Sequence, residues 1–99
     1  MKVRFRSTFF ADLNEIYNYI ADNFDDDLAK EKTDEIYREC LALKDSPKLG
    51  KLYPYRKNYR YFTVIKKNVV FYKIEEEAIV VHRVFDKRRD YASVIQRGI

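Results

Sequence analysis

Residues 59–85 read YRYFTVIKKNVVFYKIEEEAIVVHRVF. They contain three runs rich in valine, isoleucine and aromatic residues, parted by KKN and EEEA. Tyr59, Tyr61, Thr63 and Ile65 alternate with Arg60, Phe62, Val64 and Lys66, the period of a strand with two unlike faces. VVFYKI and IVVHRVF are denser in branched and aromatic side chains, the types that suit a sheet interior. The reading is three consecutive strands in an antiparallel meander.

DSPKLGKLYP (residues 45–54), just before these runs, carries both prolines and one of the two glycines, so it is a loop, with a short strand around Leu52. Before it, two helical patterns stand side by side. Phe9, Leu13, Ile16, Ile20 and Phe24 mark the first, widened by Phe10 and Tyr17, capped by Ser7 or Thr8 and ending around Asn23. Ala29, Thr33, Ile36, Tyr37, Cys40 and Leu41, with the stem of Lys44, mark the second, whose start is expected at Asp27 with Asp25 and Asp26 favouring the positive end of the helix dipole. At the N-terminus KVRFRS alternates, with Val3 and Phe5 on one side and Lys2, Arg4 and Arg6 on the other. The expectation is an α+β domain: an N-terminal strand, an antiparallel two-helix hairpin, then a three-stranded antiparallel meander, with the helices packed on one face of the sheet. Ninety-nine residues leave room for one domain, 1–99, in which 92–99 reads as a flexible C-terminal tail.

Composition narrows the function. The single cysteine, Cys40, cannot form an intrachain disulfide and falls on an apolar helix face, as in a reducing compartment. No apolar run approaches the roughly 20 residues that span a bilayer, so a cytoplasmic protein with no membrane partner is expected. The formal charge of +4 is unevenly divided. Residues 1–45 hold 7 Lys+Arg against 11 Asp+Glu, a balance of −4, and residues 46–99 hold 13 against 5, a balance of +8. The basic half can draw in a polyanion or an acidic protein.

Several side chains invite chemistry. Asp22, Asp25, Asp26 and Asp27 lack the glycine and distal glutamate of a calcium loop and read as caps and solvated charge; no metal or cofactor is expected. Strict alternation in IVVHRVF places His82 with Val80 and Val84, and Arg83 with Ile79, Val81 and Phe85. One of the two therefore lies among branched aliphatics. A buried His82 would be a neutral imidazole, whereas an accessible one would titrate near neutral pH and suit acid–base work. A buried Arg83 needs an acidic partner, and a paired, partly buried guanidinium is the expectation. The densest set is basic with aromatics between: Tyr53, Tyr55, Arg56, Lys57, Tyr59, Arg60 and Tyr61, then Lys87, Arg88, Arg89 and Tyr91. Arginine and lysine match phosphate and tyrosine can stack on bases, which suits RNA binding or metal-free phosphodiester cleavage. The same residues suit a protein interface.

ADLNEIYNYI, SPKLGK, YRYFTVIKKNVVFYKI and VVHRVFDKRRDY, in this order, resemble the small toxins of bacterial toxin–antitoxin pairs in the RelE/ParE superfamily, over the chain from the first strand to Tyr91. The resemblance implies the helix hairpin on an antiparallel sheet. It also implies growth inhibition relieved by a cognate antitoxin, here expected to carry an acidic segment that folds on binding. One branch of the superfamily cuts ribosome-bound mRNA and the other inhibits DNA gyrase. Arg60 resembles the arginine that opens the strand after the loop, Arg83 the common strand arginine, and Arg89 with Asp90 the terminal pair of the gyrase-directed branch. Asp86 stands where many relatives carry histidine. Gyrase is the favoured target. The alternative is a metal-free, ribosome-dependent mRNA endonuclease using Arg60, Tyr91, Lys57 and Arg88, with Lys51 nearby; a further one is a non-toxic protein-binding relative. Tyr55, Arg56, Arg83, Lys87 and Arg89 are the residues expected to bind target or antitoxin.

Overall fold

In the computed structural model, which describes residues 1–98, the order is β1 (Lys2–Phe5), α1 (Ser7–Asn23), α2 (Asp26–Leu41), a 3-10 turn (Ala42–Lys44), β2 (Lys51–Leu52), β3 (Arg60–Val64), β4 (Asn68–Glu75), β5 (Ala78–Asp86) and α3 (Tyr91–Arg97). The five strands form one sheet in the order β1-β5-β4-β3-β2. The meander and the helix hairpin are as the sequence periods indicate. β1 lies parallel to β5, pairing Lys2 with Ala78 and Phe5 with Val81, so the sheet is mixed.

Both faces of the sheet are covered. On the helix side Phe9, Ile36, Cys40 and Leu43 pack on Val70, Tyr72, Ile79 and Val81, with Val3 and Phe5 of β1 against the same core. Burial pushes the Cys40 thiol up to about 12, which leaves it an inert apolar filler. On the other side Tyr59, Val69, Phe71, Phe85 and Ile95 form a second core, flanked by Tyr53, Tyr61, Tyr91 and Val94. Ile95 belongs to α3. Where 92–99 reads as a flexible tail, residues through Arg97 instead form this helix; Ile99 lies outside the described residues.

The helix caps lie one or two residues before the expected positions. Asp25, not Asp27, caps α2, accepting the Leu28 N–H at 2.7 Å, and Asp26 and Asp27 occupy the first turn. Arg6 precedes α1 with no side-chain cap; Thr8 is turned away, donating its hydroxyl to the His82 carbonyl at 2.8 Å. Phe24 is not core: it is 68% exposed where the hairpin turns. Leu43 fills the position expected of the Lys44 stem.

The largest departure is in β5. Tyr72 pairs with Val81 but Phe71 pairs with Arg83, so His82 is an extra residue opposite the junction of two partners, a β-bulge. The bulge resets the alternation. Val81 and Val84 both face the helices, and neither His82 nor Arg83 lies among them. His82 is 3% exposed and packs edge-on to the Tyr59 ring, centroids 5.1 Å apart, with the Tyr59 hydroxyl 3.3 Å from Nδ1. Its buried Nε2 has no hydrogen-bond partner among the described residues. Arg83 donates from Nε and Nη2 to the Asp12 carboxylate at 2.7 and 2.9 Å, the paired guanidinium that was expected.

Burial, helped by the positive charge of Arg6, pushes the His82 imidazole down to about 4 from its usual 6.5. The folded chain therefore holds His82 neutral at pH values where the unfolded chain protonates it. Its contribution to stability is complete above about pH 6.5 and is lost progressively as pH falls to about 4. Urea melts across this interval should show falling stability, and His82→Leu should flatten the fall. An unchanged pH profile in that variant would assign the acid sensitivity to other groups.

Candidate functional site

The residues proposed for phosphodiester cleavage do not converge. In β3, Phe62 and Val64 face the helix-side core, and Arg60 shares their parity. Its Nη1 donates to the Gly50 carbonyl at 2.8 Å, beside Tyr72, whose hydroxyl donates to the Pro47 carbonyl at 2.7 Å and accepts the Gly50 N–H at 2.9 Å. A Cβ on Gly50 would lie 2.8 Å from the Tyr72 ring and 2.9 Å from the Tyr61 carbonyl, so only glycine fits this clamp. Arg60 thus fastens the 45–54 loop to the sheet. Tyr91 lies on the opposite face, its ring 5.5 Å from that of Phe71 and 6.0 Å from that of Phe85. The sheet separates the two.

Lys57 is exposed on the segment between β2 and β3, and Lys51 is exposed in β2. Arg88 is exposed but bound to Asp86, its Nη2 3.1 Å from Oδ2, and this guanidinium holds the Asp86 carboxyl below the usual carboxylate range. His82 is enclosed and held neutral.

The tyrosines expected to stack on bases are used inside the protein. Tyr53 packs on Phe71 and Tyr61 with centroids 5.0 and 5.6 Å apart, and Tyr59 is 1% exposed. Burial raises the hydroxyls of Tyr53 and Tyr59 above the usual value, away from proton transfer near neutral pH. Among the tyrosines of this face Tyr55 alone stays well exposed, at 70%.

The docking candidates divide likewise. Tyr55, Lys87 and Arg89 are accessible. Arg89 reaches Glu15 on α1 at 3.7 Å, and its neighbour Asp90 caps α3 by accepting the Ser93 hydroxyl at 2.8 Å. Arg56 donates to the Ile95 carbonyl at 3.3 Å and so anchors α3, while Arg83 is committed to Asp12.

The sequence reading did not find the groove beside this last group. A cleft of about 730 Å³ runs between α1, the start of α2, the β3–β4 turn and the end of β5. Ile16, Ile20, Phe24, Leu28, Ile65 and Phe85 supply its apolar lining, and Lys32, Lys67, Arg88 and Arg89 are among its polar ones. Its signal in the sequence was Phe24, an aromatic at the break between two helices. No helix among the described residues is long and apolar enough to cross a membrane.

Comparison with known proteins agrees with this architecture. The fold is similar to a solved structure titled "Chromosomal ParDE TA system from P. aeruginosa", with a TM-score of 0.78 and 17% sequence identity over 87% of this chain and 95% of that one. A search of curated proteins by sequence gives no match. Residues 3–91 match the family model described as ParE toxin of type II toxin-antitoxin system, parDE. With nearly the whole chain covered, the protein belongs to the ParE toxin family of type II toxin–antitoxin systems.

Proposed function

We propose that this chain is a single-domain, cytoplasmic toxin that arrests growth by docking on DNA gyrase, and not by cutting RNA. One observation carries the choice: Arg60 and Tyr91 occupy opposite faces of the sheet. Cleavage next to a 2′-hydroxyl needs a proton acceptor and a proton donor within hydrogen-bond reach of one phosphodiester. Side chains separated by a packed sheet cannot meet that requirement. A docking protein needs only a shaped surface, and Tyr55, Lys87 and Arg89 remain available to form one.

Purified chain added to a supercoiling reaction should inhibit gyrase, while message on programmed ribosomes stays intact. New 5′ ends confined to ribosome-bound mRNA, and lost in a folded Arg60→Ala variant, would reverse the assignment. In cells, expression of the chain should stop growth, and co-expression of the neighbouring gene should restore it.

The antitoxin that a type II system implies is proposed to seat an acidic segment in the α1–β5 groove, folding as it binds. Phe24 and Ile20 offer apolar anchorage. Arg88 and Arg89 are engaged with Asp86 and Glu15, whereas Lys32 and Lys67 form no ion pair among the described residues and can receive carboxylates. Because Phe24 is already exposed, Phe24→Asp should leave the free toxin's stability nearly unchanged while weakening the complex by about 2 kcal/mol, roughly 30-fold. Titration calorimetry of the two purified proteins measures this; equal affinities would place the antitoxin elsewhere.

A further inference from the structure

The chain is electrically two-sided in a way the halves of its sequence conceal. The helix hairpin, residues 7–41, holds 3 Lys+Arg against 10 Asp+Glu, a balance of −7. Since the whole chain is +4, residues 1–6 and 42–99, which include the whole sheet, carry the difference, +11. Part of that charge sits on β1. Val3 and Phe5 face the helix-side core, so Lys2 and Arg4 project from the opposite face. On the same face Lys73 lies one strand beyond: Val80 pairs with Arg4 on one side and with Lys73 on the other. Lys2, in the next row, faces Glu75 across Ala78, and Glu75, Glu76 and Glu77 line the recess that Lys2 and Arg4 border, so the positive charge is partly offset at this end.

Arg6 and Arg56 extend the row. Arg6 follows β1, with its N–H bonded to the Val81 carbonyl at 2.9 Å, and its charge acts on both His82 and Tyr59. The buried Tyr59 ring carries two cations, Lys73 Nζ at 4.6 Å and the Arg56 guanidinium carbon at 5.9 Å from its centroid. Arg4, Arg6, Lys73 and Arg56 thus stand over a rigid floor of Val80, His82 and Tyr59, and among the described residues none of the four forms an ion pair.

We propose that this face binds the phosphate backbone of duplex DNA through Arg4, Arg6, Lys73 and those N–H groups of Arg56 that are not given to the Ile95 carbonyl. Four features select that partner. The cations are spread over several strands in two dimensions, as two phosphate rows require. The floor beneath the cations is closed, because Tyr59 is turned inward, and the exposed aromatic of this face, Tyr55, offers a single ring next to Arg56 and not the several on which successive unpaired bases stack. Val80, His82 and Tyr59 are themselves buried, so among the described residues the floor offers no exposed apolar anchor that would hold an acidic protein segment against salt. The acidic helices opposite orient the molecule with its sheet toward a polyanion. The surface goes beyond the gyrase proposal and is measurable without gyrase.

The test is fluorescence anisotropy of a labelled mixed-sequence duplex of about 20 base pairs, titrated with the full chain at several salt concentrations. Four phosphate contacts predict that log K falls with log salt at a slope of about −3.6. Arg4→Ala/Arg6→Ala/Lys73→Ala should reduce the slope by about 2.7. Arg38→Ala/Lys44→Ala/Lys48→Ala, which removes the same charge elsewhere, should leave it unchanged. Arg4→Lys/Arg6→Lys should retain the slope, since point charge suffices for phosphate. If the triple variant loses its thermal transition, Arg4→Ala alone, at an exposed site, should still lower the slope by about 0.9. Equal slopes in the two triple variants, no salt-dependent binding by the native chain, tighter binding of single-stranded RNA of equal length, or equal displacement by polyglutamate would each overturn the proposal.

Discussion

A carboxylate on a helix completes the edge of a strand. β1 pairs with β5 only from Ala78 to Val81, which leaves the next stretch of β5, paired with β4 on its other side, open along this edge. Asp12, 6% exposed on α1, fills that gap: Oδ2 accepts the Val84 N–H at 3.1 Å and Arg83 Nε at 2.7 Å, and Oδ1 accepts Arg83 Nη2 at 2.9 Å. A buried carboxylate without such donors would be costly, and a buried guanidinium without such acceptors equally so. The triad fixes where the hairpin meets the sheet. The bulge at His82 accompanies it, since the extra residue lets Val81 and Val84 both enter the core while Arg83 reaches Asp12. Thr8, bonded to the His82 carbonyl, closes the same seam one turn earlier.

With the helices locked on one face, the polar residues of the other are assigned by what remains. α3 and the segment from Tyr53 to Tyr59 cover its centre, and the aromatic rings that could have served as a nucleic-acid platform become a second core around Phe71. What is left for partners is peripheral: a groove at the hairpin end, the accessible side chains Tyr55, Lys87 and Arg89, and a row of cations over Val80. This distribution is what the docking proposal rests on.

The strands and helices were legible because each repeats a period over several residues, and a period survives an error at one position. Features that hinge on a single residue were not. Strict alternation cannot reveal the bulge, although the spacing of Ile79, Val81 and Val84, two residues and then three, carries its trace. Asp25 and Asp27 offer the same capping chemistry, and only the backbone chooses between them. α3 was hidden behind the charges of DKRRD, yet Tyr91, Val94 and Ile95 have helical spacing and Asp90 has Ser93 three residues on. For the site, the residue types were readable and their faces were not: Arg60 and Tyr91 look alike as functional candidates until the register puts a sheet between them. Asp12 gave no signal at all, because its partners are more than 70 residues away.

Native-state hydrogen exchange at the Val84 amide tests the edge lock most directly. In the native chain this N–H should exchange only through global unfolding, with a protection free energy equal to that of the core amides. In Asp12→Asn the carboxamide can still offer one oxygen, but the ion pair with Arg83 is gone, so protection of Val84 should drop well below that of the core while β4 and the inner half of β5 stay protected. Rapid exchange of Val84 in the native chain, or unchanged protection in the variant, would contradict the claim that Asp12 holds the hairpin to the sheet.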